Sequence, residues 1–145
     1  GNRYCDRHLN RRAYICRIIE RSRRLILFCR RCNSLRPFSV RGDLLDITKD
    51  TVDGLSPMSE EMAMCYAQKT KQKMHTDWAI ADLGIAGPGG AVYGFEPGSC
   101  VVGIAGLRSS STFIQTGKGR RNENMALFRN SALALFADAL SEVES

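Results

Sequence analysis

The feature that most constrains this chain is an abrupt change of charge near residue 41. Residues 1–41 contain 12 arginines, no lysine and two acidic residues, a net charge of +10, whereas residues 42–145 contain nine basic and 13 acidic residues and carry −4. Four of the six cysteines also lie in the first segment. We therefore predict a basic Arg/Cys-rich head of poorly specified structure over residues 1–41 and a separate domain, the body, over residues 42–145.

Chain length and the uncharged runs narrow the class of protein further. The 145 residues suit one main domain. The longest uncharged runs are interrupted by glycine and proline, and they fall short of the roughly 20 apolar residues that a membrane-spanning helix needs. No apolar core follows the positive charges at the N-terminus, as it would in a signal peptide, so we expect a cytoplasmic protein.

Two helices are predicted in the body from capping signals and apolar periodicity. Ser59 is placed to cap the first helix, and Glu60 and Glu61 fall in its first turn, where the helix dipole favours acidic side chains. Asn122 is placed to cap the second helix. The apolar stripe of that helix, which we expect to form core, consists of Met125, Phe128, Ala132, Leu135, Phe136, Ala139, Leu140 and Val143.

Three strands are predicted between and beside these helices. They cover Trp78–Gly84, Ser99–Ala105 and Thr112–Thr116, which are short runs bounded by turn residues. Strands that alternate with capped helices are typical of layered domains. The pattern therefore predicts an α/β domain with a small sheet flanked by helices.

A glycine-rich heptapeptide, Gly84-Ile85-Ala86-Gly87-Pro88-Gly89-Gly90, follows the first predicted strand. Backbone N–H groups in such a turn can bind a phosphate or a carboxylate. The string fits neither a P-loop nor a dinucleotide-binding fingerprint, because no Gly-Lys-Ser/Thr follows and the glycine spacing differs. Composition alone favours a structural turn over an anion-binding loop. Of the titratable neighbours, we interpret Asp82 as a solvated or capping acid and His75 as a surface residue.

Several ordered pieces of the body share their sequence and spacing with one known family. Leu44–Ile47 is similar to Leu-Leu-Gly-Val in that family, and Met58–Ala63 is similar to Val-Ser-Glu-Glu-Val-Ala. Residues 84–90 match its signature loop, and the strand after Gly98 follows at the family's spacing. Arg121 falls at the arginine of a Gly-Asp-Arg turn. Over about residues 44–140 the chain thus resembles the CinA C-terminal domain (competence/damage-inducible protein), which also occurs alone as nicotinamide-nucleotide amidase.

The resemblance implies a reaction and a set of binding residues. The reaction is hydrolysis of the carboxamide of nicotinamide mononucleotide to nicotinic acid mononucleotide and ammonia, without a metal or another cofactor. A serine would attack the amide carbon, a lysine and a tyrosine would transfer protons, and backbone N–H groups would support the oxyanion. The loop and an arginine would hold the phosphate and ribose of this or a related nucleotide. The residues implied for binding are Gly84, Ala86, Gly87, Pro88, Gly89, Gly90 and Arg121.

The family's catalytic motif has no counterpart in this sequence. Its nucleophile lies in Glu-Ser-x-Thr-Gly-Gly, and the nearest string, Glu20–Ile26, lacks the Thr and the Gly pair. The next family element, Gly-Gly-Val-Val-x-Tyr-Ser-Asn-x-x-Lys, is matched only faintly at Phe38–Val40. Leu83 replaces the Thr before the loop's first Gly, and Met125 replaces a second Arg in the last helix. We therefore predict an amidase-like protein with no identified catalytic residue. The alternative is a non-catalytic nucleotide-binding domain, and the sequence leaves a homo-oligomer open.

Three explanations of the head remain open: a degenerate remnant of the active-site segment, a translation of the wrong reading frame, or a real appended module. As a module, its arginines could grip nucleic-acid phosphates. Its two ligand pairs, Cys5 with His8 and Cys29 with Cys32, could close a tetrahedral zinc site. Against zinc, residues 15–29 read as a basic amphipathic helix. We therefore predict no metal, and nucleic-acid binding only as an alternative function.

Overall fold

A computed structural model of the protein describes residues 25–31 and 45–144. Its centre is one sheet of four strands, in the order β1-β2-β3-β4. The strands are β1 (Leu25–Arg31), β2 (Trp78–Gly84), β3 (Ser99–Ala105) and β4 (Ser110–Gln115). β1 runs parallel to β2, and β2, β3 and β4 follow one another antiparallel. The inner strand β3 is buried over its whole length.

The first helix, α1 (Glu60–Met74), begins and ends as the sequence predicts. The Ser59 hydroxyl accepts a hydrogen bond from the Met62 N–H at 3.1 Å, which satisfies one of the free donors of the first turn. The helix ends at His75, which adopts the left-handed conformation with φ of 50° and is exposed. The prediction that His75 is a surface residue is therefore confirmed.

The second helix, α2 (Arg121–Glu144), begins one residue before the predicted cap. Asn122 consequently lies in its first turn and is exposed. Most of the predicted apolar stripe is buried, whereas Val143 at its end is 41% exposed. The buried members are Phe128, Ala132, Phe136, Ala139 and Leu140.

The two helices cover opposite faces of the sheet. On one face, Met62, Ala63 and Tyr66 of α1 join a cluster with side chains of β2 and β3. On the other face, Phe128 and Phe136 of α2 join a second cluster, in which the Phe136 ring meets the edge of Trp78 at a centroid distance of 5.5 Å. The result is the predicted α/β domain with a small sheet flanked by helices. Neither helix in the described part of the chain is long and apolar enough to cross a membrane.

The strand predictions were confirmed for β2 and β3, whose bounds agree residue for residue. The third strand begins two residues earlier than predicted and ends one residue earlier. Ser110 and Ser111 belong to it because they pair with Ile104 and Gly103 of β3, although their side chains give no apolar signal.

The prediction of a helix across residues 15–29 is wrong for its last part, because residues 25–31 form β1. Pairing with the central strand β2 overrides the helical periodicity there, which is a common outcome for short apolar runs. The other residues of that prediction lie outside the described residues. The same is true of the boundary between residues 41 and 42, so the division into head and body stays a prediction.

Close packing of α1 on β3 depends on Gly103. A Cβ atom at this position would lie 2.6 Å from the carbonyl carbon of Ala63 and 2.8 Å from the amide nitrogen of Met64. Both are backbone atoms, which cannot rotate away. We expect Gly103→Ala to lower the free energy of unfolding by about 1–3 kcal/mol, as is usual for overpacking. Chemical denaturation measures this change.

Gly90→Ala is the matched control for this prediction. A Cβ atom at Gly90 would have no neighbour within 4 Å, so the same substitution should change stability by less than about 1 kcal/mol. Equal stability of the two variants would show that α1 does not approach β3 as closely as described.

Candidate functional site

The glycine loop (residues 84–90) lies where β2 ends, β3 begins, β4 ends and α2 starts. Two backbone hydrogen bonds fix its base: the Ile85 N–H donates to the Ser99 carbonyl at 2.9 Å, and the Gly98 N–H donates to the Ile85 carbonyl at 2.7 Å. The Thr116 N–H donates in turn to the Gly98 carbonyl at 3.0 Å. Three strands therefore hold this loop at one end of the sheet.

Two of the loop positions require glycine for different physical reasons. At Gly84 a Cβ atom would lie 2.8 Å from the Phe128 ring, so a side chain there would push α2 away from the sheet. At Gly87 φ is +78°, a conformation that residues with a Cβ rarely adopt. The Gly87–Pro88 peptide bond is cis. Pro88, Gly89 and Gly90 are exposed, so the tip of the loop faces solvent.

Arg121, the first residue of α2, contacts the glycine loop directly. Its Nη1 donates to the Gly87 carbonyl at 2.9 Å, and the side chain is partly buried. The structure thus brings together all the residues that the sequence predicts for substrate binding. Because a guanidinium has five N–H donors, this bond leaves other donors of Arg121 for a ligand.

Asn124 is a second link between α2 and the loop, which the sequence analysis missed. The side chain is fully buried, and its Nδ2 donates to the Ala86 carbonyl at 3.0 Å and to the Lys118 carbonyl at 2.9 Å. Its Oδ1 accepts a hydrogen bond from the Thr116 hydroxyl. A signal was present in the sequence. Asn124 stands four residues before Phe128 and so falls on the apolar face of the helix, where a polar side chain needs a partner.

Positive charge collects at this end of the sheet. Lys118 and Arg120 are exposed in the turn that leads into α2, and Arg121 follows them. Glu123 is the nearest acid along the chain and lies 3.7 Å from the guanidinium of Arg120, whose side chain is 85% exposed. The N-terminus of α2 adds the positive end of a helix dipole. The arrangement suits an anionic group.

The loop also offers free backbone donors. In the part of the chain that the structure describes, the amide N–H groups of Gly87, Gly89 and Gly90 make no hydrogen bond to another backbone group. These N–H groups can donate to an anion. A ligand that covers the loop would exclude water from them, and each N–H group would then need an acceptor on the ligand.

No nucleophile for acyl transfer is assembled among the described side chains near the loop. Ser99 is 1% exposed; its hydroxyl donates to the Glu96 carbonyl at 2.7 Å and accepts from Gln115 Nε2 at 2.8 Å. These bonds give Ser99 a structural role. Within residues 25–31 and 45–144 there is also no group of three side chains that could hold a metal ion.

Two further predictions have different outcomes. Asp82 does not cap a helix, because it lies within β2; the residue is partly exposed, and one of its carboxylate oxygens is buried. The zinc ligands predicted at Cys5, His8 and Cys32 lie outside the described residues, and of Cys29 the structure describes only the backbone. Zinc and nucleic-acid binding by the head are therefore untested.

An open groove of about 710 Å³ lies elsewhere, between the start of α1 and β4. It is lined by Met64, Cys65 and Phe113 together with polar side chains that include Glu61, and it shares no residue with the glycine loop. Burial raises the pKa of the Cys65 thiol, and the positive charge of Lys69 offsets part of this effect. The thiol is therefore protonated at neutral pH.

Comparison with known proteins gives one matching family. Residues 38–140 match the sequence model of the CinA C-terminal domain. Two curated relatives named CinA-like protein are 31% identical over 88 residues (Gloeothece citriformis) and 34% identical over 86 residues (Synechocystis sp.). These matches cover 61% and 58% of this chain, and 21% of each relative. The chain therefore spans about a fifth of the length of the curated relatives it matches.

Solved structures show the same fold. The competence damage-inducible protein A of Klebsiella pneumoniae has a TM-score of 0.74 at 17% identity, over 91% of this chain and 96% of that chain. A competence or damage-inducible protein of Enterobacter asburiae has a TM-score of 0.73 at 15% identity, over 90% and 95% of the two chains. At 17% and 15% identity, these comparisons show that the fold is shared.

The raised pKa of Cys65 predicts a specific pH dependence of alkylation. Only the thiolate reacts, so the rate of carbamidomethylation by iodoacetamide should reach its half-maximum at a higher pH in the folded protein than in the denatured chain. Lys69→Ala should shift this midpoint further up, because it removes the charge that favours the thiolate. Mass spectrometry of the peptide containing Cys65 separates this thiol from the others.

Lys71→Ala, on the same helix, is the matched control and should leave the midpoint unchanged. A midpoint at or below that of the denatured chain would contradict the burial of Cys65.

Proposed function

Because this chain belongs to the CinA C-terminal domain family, we propose that its glycine loop binds the phosphate and ribose of nicotinamide mononucleotide or a related nucleotide. The observation that carries this proposal is the hydrogen bond from Arg121 Nη1 to the Gly87 carbonyl at 2.9 Å. This bond places a cation, the start of a helix and a loop with free amides next to one another. All three kinds of group bind the phosphate of a monophosphate ester.

The charges near the loop support an anionic ligand. The loop itself contains no charged residue, and the exposed acid Glu96 precedes Pro97, which lies against Gly87. Lys118 and Arg120 are exposed beside the loop and add to the positive potential. Charge-assisted hydrogen bonds from a guanidinium to phosphate are about twice as strong as neutral ones. Binding therefore rests on Arg121 together with the loop amides.

Hydrolysis of the nucleotide's carboxamide requires groups that binding does not. The reaction needs a nucleophile, a base that activates it and donors for the oxyanion. This sequence lacks the Glu-Ser-x-Thr-Gly-Gly motif, and the hydroxyl of Ser99 is engaged in two hydrogen bonds. We therefore propose a nucleotide-binding domain that does not hydrolyse its ligand. Membership of the family favours the second candidate, nicotinamide-nucleotide amidase.

Nucleic-acid binding by the head can be tested with a deletion that leaves β1 intact. Because residues 25–31 pair with β2, a deletion must stop at residue 24 to spare the sheet. Deletion of residues 1–24 removes 8 of the 12 head arginines. It should abolish any salt-sensitive binding of nucleic acid and leave nucleotide affinity unchanged.

Arg121→Ala is the direct test of the proposal. We expect the affinity for nicotinamide mononucleotide, measured by isothermal titration calorimetry, to fall at least about tenfold, because a charge-assisted hydrogen bond contributes about 1.5–3 kcal/mol. Arg129→Ala removes the same charge from an exposed position eight residues further along α2 and should have little effect.

Two outcomes would contradict the proposal. If the unaltered protein bound no nucleotide, the proposal would be wrong. If the two arginine variants had equal affinity, Arg121 would not take part in binding. Release of ammonia from nicotinamide mononucleotide by the purified protein would instead show that the protein is an amidase.

A further inference from the structure

We infer that Asn124 is a positioning residue, which orients two backbone N–H groups, those of Gly87 and Gly119, toward the anion. The inference rests on the proposed function for the identity of the ligand. The orientation itself can be tested without a ligand.

The amide of Asn124 has a complete set of hydrogen bonds. Both hydrogens of Nδ2 are donated, to the Ala86 carbonyl at 3.0 Å and the Lys118 carbonyl at 2.9 Å, and Oδ1 accepts from the Thr116 hydroxyl. The Thr116 hydroxyl in turn accepts from the Lys118 N–H at 3.1 Å. A flipped amide would place its oxygen against two carbonyl oxygens, so the arrangement defines one orientation.

The two bonds fix the direction of two peptide groups. In a planar trans peptide the C=O of one residue and the N–H of the next point in opposite directions. Since the Ala86 and Lys118 carbonyls both turn toward the buried Asn124 side chain, the N–H groups of Gly87 and Gly119 turn away from it. Neither N–H donates to another backbone group in the described part of the chain.

The two N–H groups belong to segments that touch each other. A Cβ atom at Gly87 would lie 3.3 Å from the Gly119 carbonyl oxygen, which shows how closely the loop approaches the turn before α2. Gly119 is exposed and Gly87 is partly buried, so a ligand on the solvent side can reach both. Asn124 contacts both segments through one side chain.

The test compares Asn124→Asp with Asn124→Leu in the whole chain. An ionised Asp donates neither bond, and a protonated Asp donates one, whereas Leu has a similar size and donates none at any pH. At neutral pH both variants should bind nicotinamide mononucleotide at least about tenfold more weakly than the unaltered protein. On acidification the affinity ratio of the Asp variant to the unaltered protein should rise, and the ratio for the Leu variant should stay constant.

A second readout needs no ligand. In ¹H–¹⁵N correlation spectra of the free protein, the amide resonances of Gly87 and Gly119 should shift in both variants, whereas those of Val101 and Val102 in the core strand β3 should not. Acidification also removes the repulsion between the new carboxylate and the anion, so the uncharged Leu variant carries the binding test. Unweakened binding by the Leu variant would overturn the inference, as would unchanged resonances of the two glycines.

If both Asn124 variants fail to fold, Thr116→Val tests the same inference. This substitution removes the hydroxyl that donates to Asn124 Oδ1, so it should shift the Gly87 and Gly119 resonances and weaken nucleotide binding. Thr112→Val, the same change four residues earlier in β4, is the matched control. Equal behaviour of the two threonine variants would overturn the inference. Absence of nucleotide binding by the unaltered protein would overturn the proposed function alone, since the resonances still report on Asn124.

Discussion

Burial of β3 on both faces is the constraint on which the other elements depend. Every residue of this strand is buried, so one helix must cover each face and a strand must lie along each edge. Gly103 lets the backbone of α1 come within contact on one side. On the other side, Val102 and Ile104 pack in the cluster that contains Phe128 and Phe136 of α2. The two helices are therefore positioned by the same strand, through side chains of alternating direction.

The geometry of the candidate site depends on how α2 packs on the sheet. Phe128 lies against Gly84, so the depth at which α2 packs on the sheet also sets the distance between its first turn and the glycine loop. Arg121 and Asn124 precede Phe128 by about two turns and one turn of helix, and both hold loop carbonyls. Core packing and loop position are thus mechanically coupled, which makes the site sensitive to substitutions that contact no ligand.

Much of this arrangement could be predicted from the sequence, and the exceptions have physical reasons. β2 and β3 carry buried apolar runs with clear glycine boundaries, and Ser59 is a strong capping signal. The loop and Arg121 were identified by resemblance, and the structure brings them together. β1 was mistaken for helix, because its identity comes from pairing with β2 and is not visible in its own periodicity. The position of Asn124 on the apolar face of α2 indicates a buried polar side chain, but its partners are the backbone carbonyls of Ala86 and Lys118, which have no sequence signature.

The parallel pairing of β1 has a consequence for the order in which the protein folds. Leu25 pairs with Trp78, 53 residues further along the chain, whereas Ile104 pairs with Ser110 only six residues away. Closing the long loop costs more conformational entropy, and contacts of high sequence separation form slowly. The antiparallel part of the sheet can therefore form from local contacts, whereas β1 cannot pair until residues 78–84 have been synthesised. Among the four described strands, we expect the one that comes first in the chain to be the last to join the sheet.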